Sequence, residues 1–413
     1  MSKKMHQALV PQYMKNFQCI GSFCEDTCCQ GWTVVIDKKT YKRYKNIRDK
    51  EFVPIINDHI TRLRNESSDI NYAKIKMDSN NACPFLNTEK LCSFQLNLGE
   101  NYLSSVCSTY PRTLNRINGS LEQSATLSCP EAARQALLNP EVMQFDEIEL
   151  ELDSKTIVGK SLEIENANFP QYYFWNLRIF SIEILQNRDY SIPERLLLLG
   201  TFYEKVQTLI DQNELVQLPQ FIESYKTIVK NGTLKETIQA IPTSYDIQFK
   251  LVKYMMDMRV LLGVNSQAYL DCVQDTLDGL SFTEEDSTNE EHIQKYKHAS
   301  ESYYLPFIAK HEYLLEHYLV NYVYKNLFPF QTTSQNLFDE FSLFVLHFSM
   351  IKLHLIGMTN HYKENFTVDH VVKLIYSFAR AIEHTPIYLY KISKNLREKE
   401  LSSLAHLAIL IKN

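Results

Sequence analysis

The chain has 413 residues, 45% hydrophobic and 22% charged, a make-up that gives room for two or more domains and excludes a wholly disordered protein. Its ten glycines include no G-x-G pair, which excludes the glycine-rich turns that cradle phosphates and dinucleotides in doubly wound sheets. The net charge of -6 is split: residues 1–140 hold 18 Lys and Arg against 13 Asp and Glu, and the remainder holds 25 against 36.

The N-terminal stretch MSKKMHQALVPQYMKNF lacks the apolar core of a signal peptide, so a cytoplasmic location is expected. Gly31 to Ile36 predicts a short strand, and Asp37 to Lys50 a helix with Asp37 as its N-cap. The cationic run within it (Lys38, Lys39, Lys42, Arg43, Lys45, Arg48 and Lys50) is interleaved with Asp37, Asp49 and Glu51. It reads as a solvated helix face, and no nucleic-acid partner is expected.

Proline after Cys83 and Cys129, and Pro111 after Tyr110, place several cysteines at turns or helix starts, where main-chain N–H groups favour thiolates. At 145–153, FDEIELELD alternates apolar and acidic residues at period two, which predicts an exposed strand or extended connector and sets a domain boundary at 144/145. Beyond it, apolar residues recur at helical spacing over Tyr172–Asn187, Pro193–Asp211, Tyr245–Leu262, Leu305–Phe328, Phe338–Met358 and Val368–His384. Asn231-Gly232 closes a further helix ending at Lys230, and the acidic stretch 283–292 reads as a surface loop. The most apolar segment, Phe341 to Met358, contains His347, Lys352 and His354 and reads as a buried helix, so no membrane span is expected.

The chemistry is concentrated in the cysteines. Eight of nine lie between Cys19 and Cys129, spaced C-x4-C-x3-C-C and then C-x8-C-x14-C-x21-C: Cys19, Cys24, Cys28, Cys29, Cys83, Cys92, Cys107 and Cys129. In a reducing compartment such a set points to metal ligation or redox chemistry rather than disulfides. Four thiolates satisfy a tetrahedral zinc ion or a cubane cluster, so eight make two sites, or one site with spare thiols. Adjacent Cys28 and Cys29 point different ways from any regular backbone and are not expected to bind one ion together. Spacing leaves zinc and iron-sulfur equally open. The radical donor-cleaving pattern C-x3-C-x2-C is not met, since Gly31 stands where its third cysteine would be.

The run CEDTCCQGWTVVIDKKTYKRY, the CPFL segment with LC eight residues on, LGENYLSSVCSTYPR and SCPEAAR together resemble the flagellin lysine-N-methylase family, itself related to cysteine-rich zinc- or iron-chelating proteins. C-terminal segments at Tyr318–Phe330 and Ile351–Met358 are also similar to it. The resemblance implies methyl transfer from S-adenosylmethionine to lysine amines of flagellin, in the cytoplasm, with a 4Fe-4S cluster held by the N-terminal cysteines. Direct substitution on a sulfonium methyl needs no metal. The cluster would then be structural, or would anchor the donor through an iron held by three cysteines.

Around these thiols, Tyr110 and Arg112 are candidates to polarise a substrate or neutralise cluster charge, and Glu131 to accept a lysine proton; packing and capping at helix starts is the plainer reading of all three. Glu25 and Asp26 are weaker candidates to attract a substrate ammonium. His347, His354 and His361 recur every seven residues, which is the pattern of a helix face rather than of a metal site. The aromatic stripes at Tyr172–Trp175 and Tyr322–Phe330 read as core. The expected architecture is mainly α: a small cysteine-rich metal- or iron-sulfur-binding α+β domain (1–144) packed on a larger all-helical domain (145–413) that docks the substrate. The alternatives to a methyltransferase are a non-enzymatic zinc- or iron-binding accessory protein and a thiol-cluster redox protein.

Overall fold

The computed structural model describes residues 4–65, 68–79, 81–152, 155–164, 166, 168–282, 289–331, 336–398 and 402–412. The chain divides into two compact units: residues 1–133 with 144–161, and residues 134–143 with 162–413. The expected boundary at 144/145 falls inside this interleaving. The first unit is mixed α and β and the second is helical.

The first unit contains two sheets. The larger is built from β1 (Lys4–Pro11), β5 (Arg112–Ile117), β6 (Ser120–Ala125), β7 (Phe145–Leu152) and β8 (Val158–Leu162), in the order β7-β1-β6-β5-β8. The β1 strand pairs antiparallel with β7 over its whole length, from Lys4 opposite Leu152 to Pro11 opposite Phe145. This pairing assigns the alternating acidic segment to the first unit. Along β7 the acids Glu147, Glu149 and Glu151 face solvent while Ile148, Leu150 and Leu152 are half-buried. Charges on an edge strand oppose pairing with other chains. Strands β5 and β6 form a hairpin closed by Asn118-Gly119, both at positive φ (47° and 82°), the backbone that a two-residue hairpin turn demands. The N-terminal strand carried no clear periodicity and was not foreseen.

The smaller sheet, β2 (Val35–Ile36), β4 (Ala73–Ile75) and β3 (Ile60–Arg62) in the order β2-β4-β3, packs on the core against which four of the cysteines lie. The strand expected over 31–36 is confined to Val35–Ile36, because Gly31 sits at φ 85° and the chain is still turning there. Asp37 does cap the next helix, its carboxylate accepting from Thr40 N at 2.8 Å. That helix covers only Lys38–Lys45 rather than reaching Lys50. It ends where Asn46 N–H turns back to the carbonyls of Arg43 and Tyr44, and Asp49 then accepts from the N–H groups of Glu51 and Phe52 as the helix Phe52–His59 begins. Phe94 lies at the centre of the core, its ring 4.0 Å from Phe85, 4.7 Å from Tyr44 and 5.3 Å from Phe52.

The second unit is organised around the helix Leu337–Tyr362, which is long and apolar enough to cross a bilayer yet is buried nearly all round by its neighbours. Burial of both faces explains why it has no polar side. The helix Gln267–Gly279 crosses it at glycine: a Cβ on Gly279 would overlap the carbonyl oxygen of Gly357, and one on Gly357 would come within 2.7 Å of Thr276 Cγ2. Ser191 and Glu194 form a capping box at the start of Ile192–Asp211, and Leu218–Lys230 ends at Asn231 with Gly232 at φ 67°. Two expected helices are interrupted. Residues 305–328 form Leu305–His311 and Tyr313–Asn326, and Val368–Phe378 passes into a π-helical turn at Ala379–Glu383. Residues 283–288 of the expected acidic loop lie outside the described residues, and 289–292 open the helix Asn289–Ala299 instead.

A candidate thiol centre in the first unit

Three local devices bring the cysteines together. In the first, Cys83 N–H donates to Cys29 O at 2.8 Å and Gly31 N–H to Asn81 O at 2.9 Å, so the segments around the paired cysteines and around Cys83 run as a short antiparallel pair. In the second, the side chain of Asn87 accepts from the N–H groups of Glu89 and Leu91, and the chain folds back so that Ser93 N–H reaches Phe85 O at 2.7 Å and Cys92 returns beside Leu86. In the third, Ser104 Oγ caps the helix Ser105–Thr109 by accepting from Cys107 N at 3.2 Å, and Ser105 Oγ donates to Asp37 Oδ2 at 3.1 Å. Burial favours the protonated form of Asp37, but hydrogen bonds from Thr40 and Ser105 outweigh it and leave the carboxyl below its ordinary range.

Cys29, Cys83, Cys92 and Cys107 all pack against the one apolar core. Cys28, exposed on the outer side, is the common neighbour: its charge opposes ionisation of Cys24, Cys29, Cys83, Cys92, Cys107 and Cys129. Cys19 is also exposed. Burial pushes the Cys83 thiol up to about 11 and the Cys107 and Cys129 thiols up to about 12. Cys29 is raised first by its hydrogen bond with Cys28 and then by burial. None of the nine cysteines is in a disulfide.

Main-chain N–H groups face four of the sulfurs: Cys24 meets that of Asp26 and Cys83 that of Phe85, and the other two stand at helix starts. Cys92 meets those of Gln95 and Phe94, and Cys129 those of Ala132 and Glu131. Soft sulfur donors gathered on an apolar floor, with N–H groups turned towards them, suit a thiophilic ion or cluster. Binding would strip the protons that burial keeps on these thiols. Among the described residues no three ligand-type side chains stand at metal-binding spacing, so the donor set matches a metal centre in chemical kind but not in spacing.

The other sequence candidates divide. Tyr110 stacks on Trp32, ring centroids 6.0 Å apart, and its hydroxyl lies 3.2 Å from Ser128 Oγ, one residue before Cys129. Glu131 is buried in the first turn of the helix Pro130–Leu137. Arg112 is exposed, its guanidinium 5.1 Å from the ring of Phe17. Glu25 and Asp26 stand beside Cys24, whose ionisation they oppose. Trp32, expected in a strand, holds the Cys28 carbonyl with its indole N–H; its place three residues after the paired cysteines is the local signal for this role.

In the second unit, His347 and His354 are buried, and burial pulls their pKa values down to about 4 and about 3. His354 is flanked by Tyr269 Oη (3.0 Å) and Thr276 Oγ1 (2.9 Å), and His361 lies 3.9 Å from Asp275. The buried ion pairs there, Arg195 with Glu316 at 2.8 Å and Lys325 with Glu383 at 2.9 Å, join residues far apart in sequence and left no local signal.

Residues 178–410 match the FliB lysine N-methylase C-terminal domain. Over 385 residues the chain is 26% identical to proteins named lysine-N-methylase from Salmonella typhimurium and Salmonella choleraesuis, covering 91% of this chain and 91% of each relative. It is also 35% identical over 138 residues to the flagellar biosynthetic protein FliU of Salmonella muenchen, covering 33% of this chain and 80% of that one. No solved structure matches.

Proposed function

The chain belongs to the FliB lysine N-methylase family, and on that premise we propose that it is a protein-lysine N-methyltransferase. It transfers methyl groups from S-adenosylmethionine to lysine side chains of flagellin in the cytoplasm. The observation that carries this reading is similarity along nearly the whole chain to proteins named for that activity. The flagellar name of a third relative supports the choice of flagellin.

The reaction needs an amine with a free lone pair. A lysine ammonium, with an ordinary pKa of about 10.4, must lose a proton before its nitrogen attacks the methyl carbon. The N–C bond then forms as the C–S bond breaks, the sulfur leaves as a neutral thioether, and the attacking amine sheds its proton to a base. Glu131 and Tyr110, both close to Cys129, are the side chains offered for that proton. A metal centre would be held by thiols drawn from Cys24, Cys28, Cys29, Cys83, Cys92, Cys107 and Cys129. A 4Fe-4S cluster held there would supply an anchor for the donor's amino and carboxylate groups. The helical unit, which carries the matched family segment, is the part offered for docking flagellin.

The test is to incubate protein purified without oxygen with the methyl donor and flagellin, and to measure the demethylated donor. Product should accumulate only with flagellin present and vanish when its lysine amines are acetylated. Flagellin binding without turnover of the donor would replace this reading with that of an accessory protein.

A further inference from the structure

The cationic run at 38–50, a solvated helix face by its sequence, borders a defined cavity. The chain turns through 47–51 between the helices Lys38–Lys45 and Phe52–His59, and the space they enclose is about 560 Å³, within the range of roughly 300–1,000 Å³ usual for ligand sites. Its walls include Ile47, Val53 and Pro54, and its cations are Lys45, Arg48 and Lys50; no carboxylate lines it. Lys45 Nζ donates to Asn57 Oδ1 at 3.0 Å, and Arg48 reaches only the carbonyls of Lys45 and Ile47. Asp49, between Arg48 and Lys50 in sequence, caps the following helix. The cavity therefore presents three cations over an apolar wall, and among the described residues none of the three is held in an ion pair.

Charge and shape together select the occupant. A sulfonium-bearing amino acid is net positive and is repelled by three cations. A nucleic-acid strand needs open aromatic faces for its bases, but Tyr44 is buried against Phe94 and Tyr41 is edge-on to Tyr72. A peptide in which carboxylates alternate with apolar side chains satisfies both the cations and the wall. We infer that this cavity docks an acidic, apolar segment of a partner polypeptide. The inference does not depend on the methyl-transfer reading.

The test uses the full-length protein and fluorescence anisotropy of a short fluorescein-labelled peptide alternating Glu with Leu and Phe. Binding should saturate, weaken with salt, and fall about tenfold in Lys50→Glu and further in Arg48→Glu/Lys50→Glu. Among the described residues Lys50 makes no ion pair, so Lys50→Glu should leave the circular dichroism spectrum unchanged, which separates lost docking from lost folding. A matched peptide with Gln in place of Glu should bind weakly. Four results would overturn the inference: equal binding of the Gln peptide, unchanged affinity in the double variant, displacement of the peptide by S-adenosylmethionine, or variant-sensitive binding of single-stranded DNA where the acidic peptide does not bind.

Discussion

The indole Nε1–H of Trp32 donates to the carbonyl oxygen of Cys28 at 2.7 Å. This bond, with Cys29 N–H donating to Thr27 Oγ1 at 3.2 Å and Cys29 O accepting from Cys83, fixes the backbone on both sides of the paired cysteines. Cys28 consequently faces outward while Cys29 enters the core. Replacing Trp32 by Phe keeps a ring against Tyr110 and removes only the donor. The expected cost is about 1 kcal/mol of stability, read as a lower denaturant midpoint, together with a lower metal content after purification without oxygen. A variant with unchanged midpoint and metal content would show that the bond does not organise the centre.

The thiols should not be equivalent. Cys28 neighbours six other cysteines, and Cys19 is an exposed thiol at the start of the series. Cys28→Ser is expected to reduce bound metal and methyl transfer to background, and Cys19→Ser to leave both near wild type. Metal analysis of the two purified variants checks this; equal losses would place Cys19 among the ligands.

Gly279 lies against the backbone of Gly357 where two helices of the second unit cross. An alanine there must push the helices apart. Gly279→Ala is expected to cost about 3 kcal/mol, at the upper end for overpacking, and to lower the melting temperature by several degrees in calorimetry. A melting temperature within a degree or so of wild type would show that the crossing yields readily.

Buried histidines make the helical unit sensitive to acid. His347 and His354 titrate near 4 and 3 when folded against an ordinary 6.5, so between those values the unfolded chain binds more protons and stability falls as pH falls. Their contribution is whole above 6.5. At pH 5 each histidine has lost about 2 kcal/mol of it, from 1.36 kcal/mol per pKa unit. Urea midpoints at pH 7 and pH 5 measure the loss, and His354→Asn should flatten the dependence. An unchanged slope in that variant would assign the acid sensitivity to other groups.

What the sequence revealed followed how local its signals are. The Asp37 cap, the closure at Asn231-Gly232 and the period of Glu147, Glu149 and Glu151 are decided by a few neighbouring residues, and the structure repeats them. The β1 strand and the helix ending at Lys45 depend on pairing with β7 and on the turn that follows, which no local window contains. The cysteines were visible as a group because they are rare elsewhere. Their convergence on Cys28 required the pairing of Cys83 N–H with Cys29 O, which joins segments that spacing alone does not connect.

The intact mass of flagellin tests the central claim most directly. Flagellin incubated with S-adenosylmethionine and the anaerobically purified protein should gain steps of about 14 daltons, one per methyl replacing a hydrogen on a lysine amine, and Cys28→Ser protein should add none. Flagellin of unchanged mass, recovered from an incubation in which the metal-loaded protein had bound it, would contradict the account.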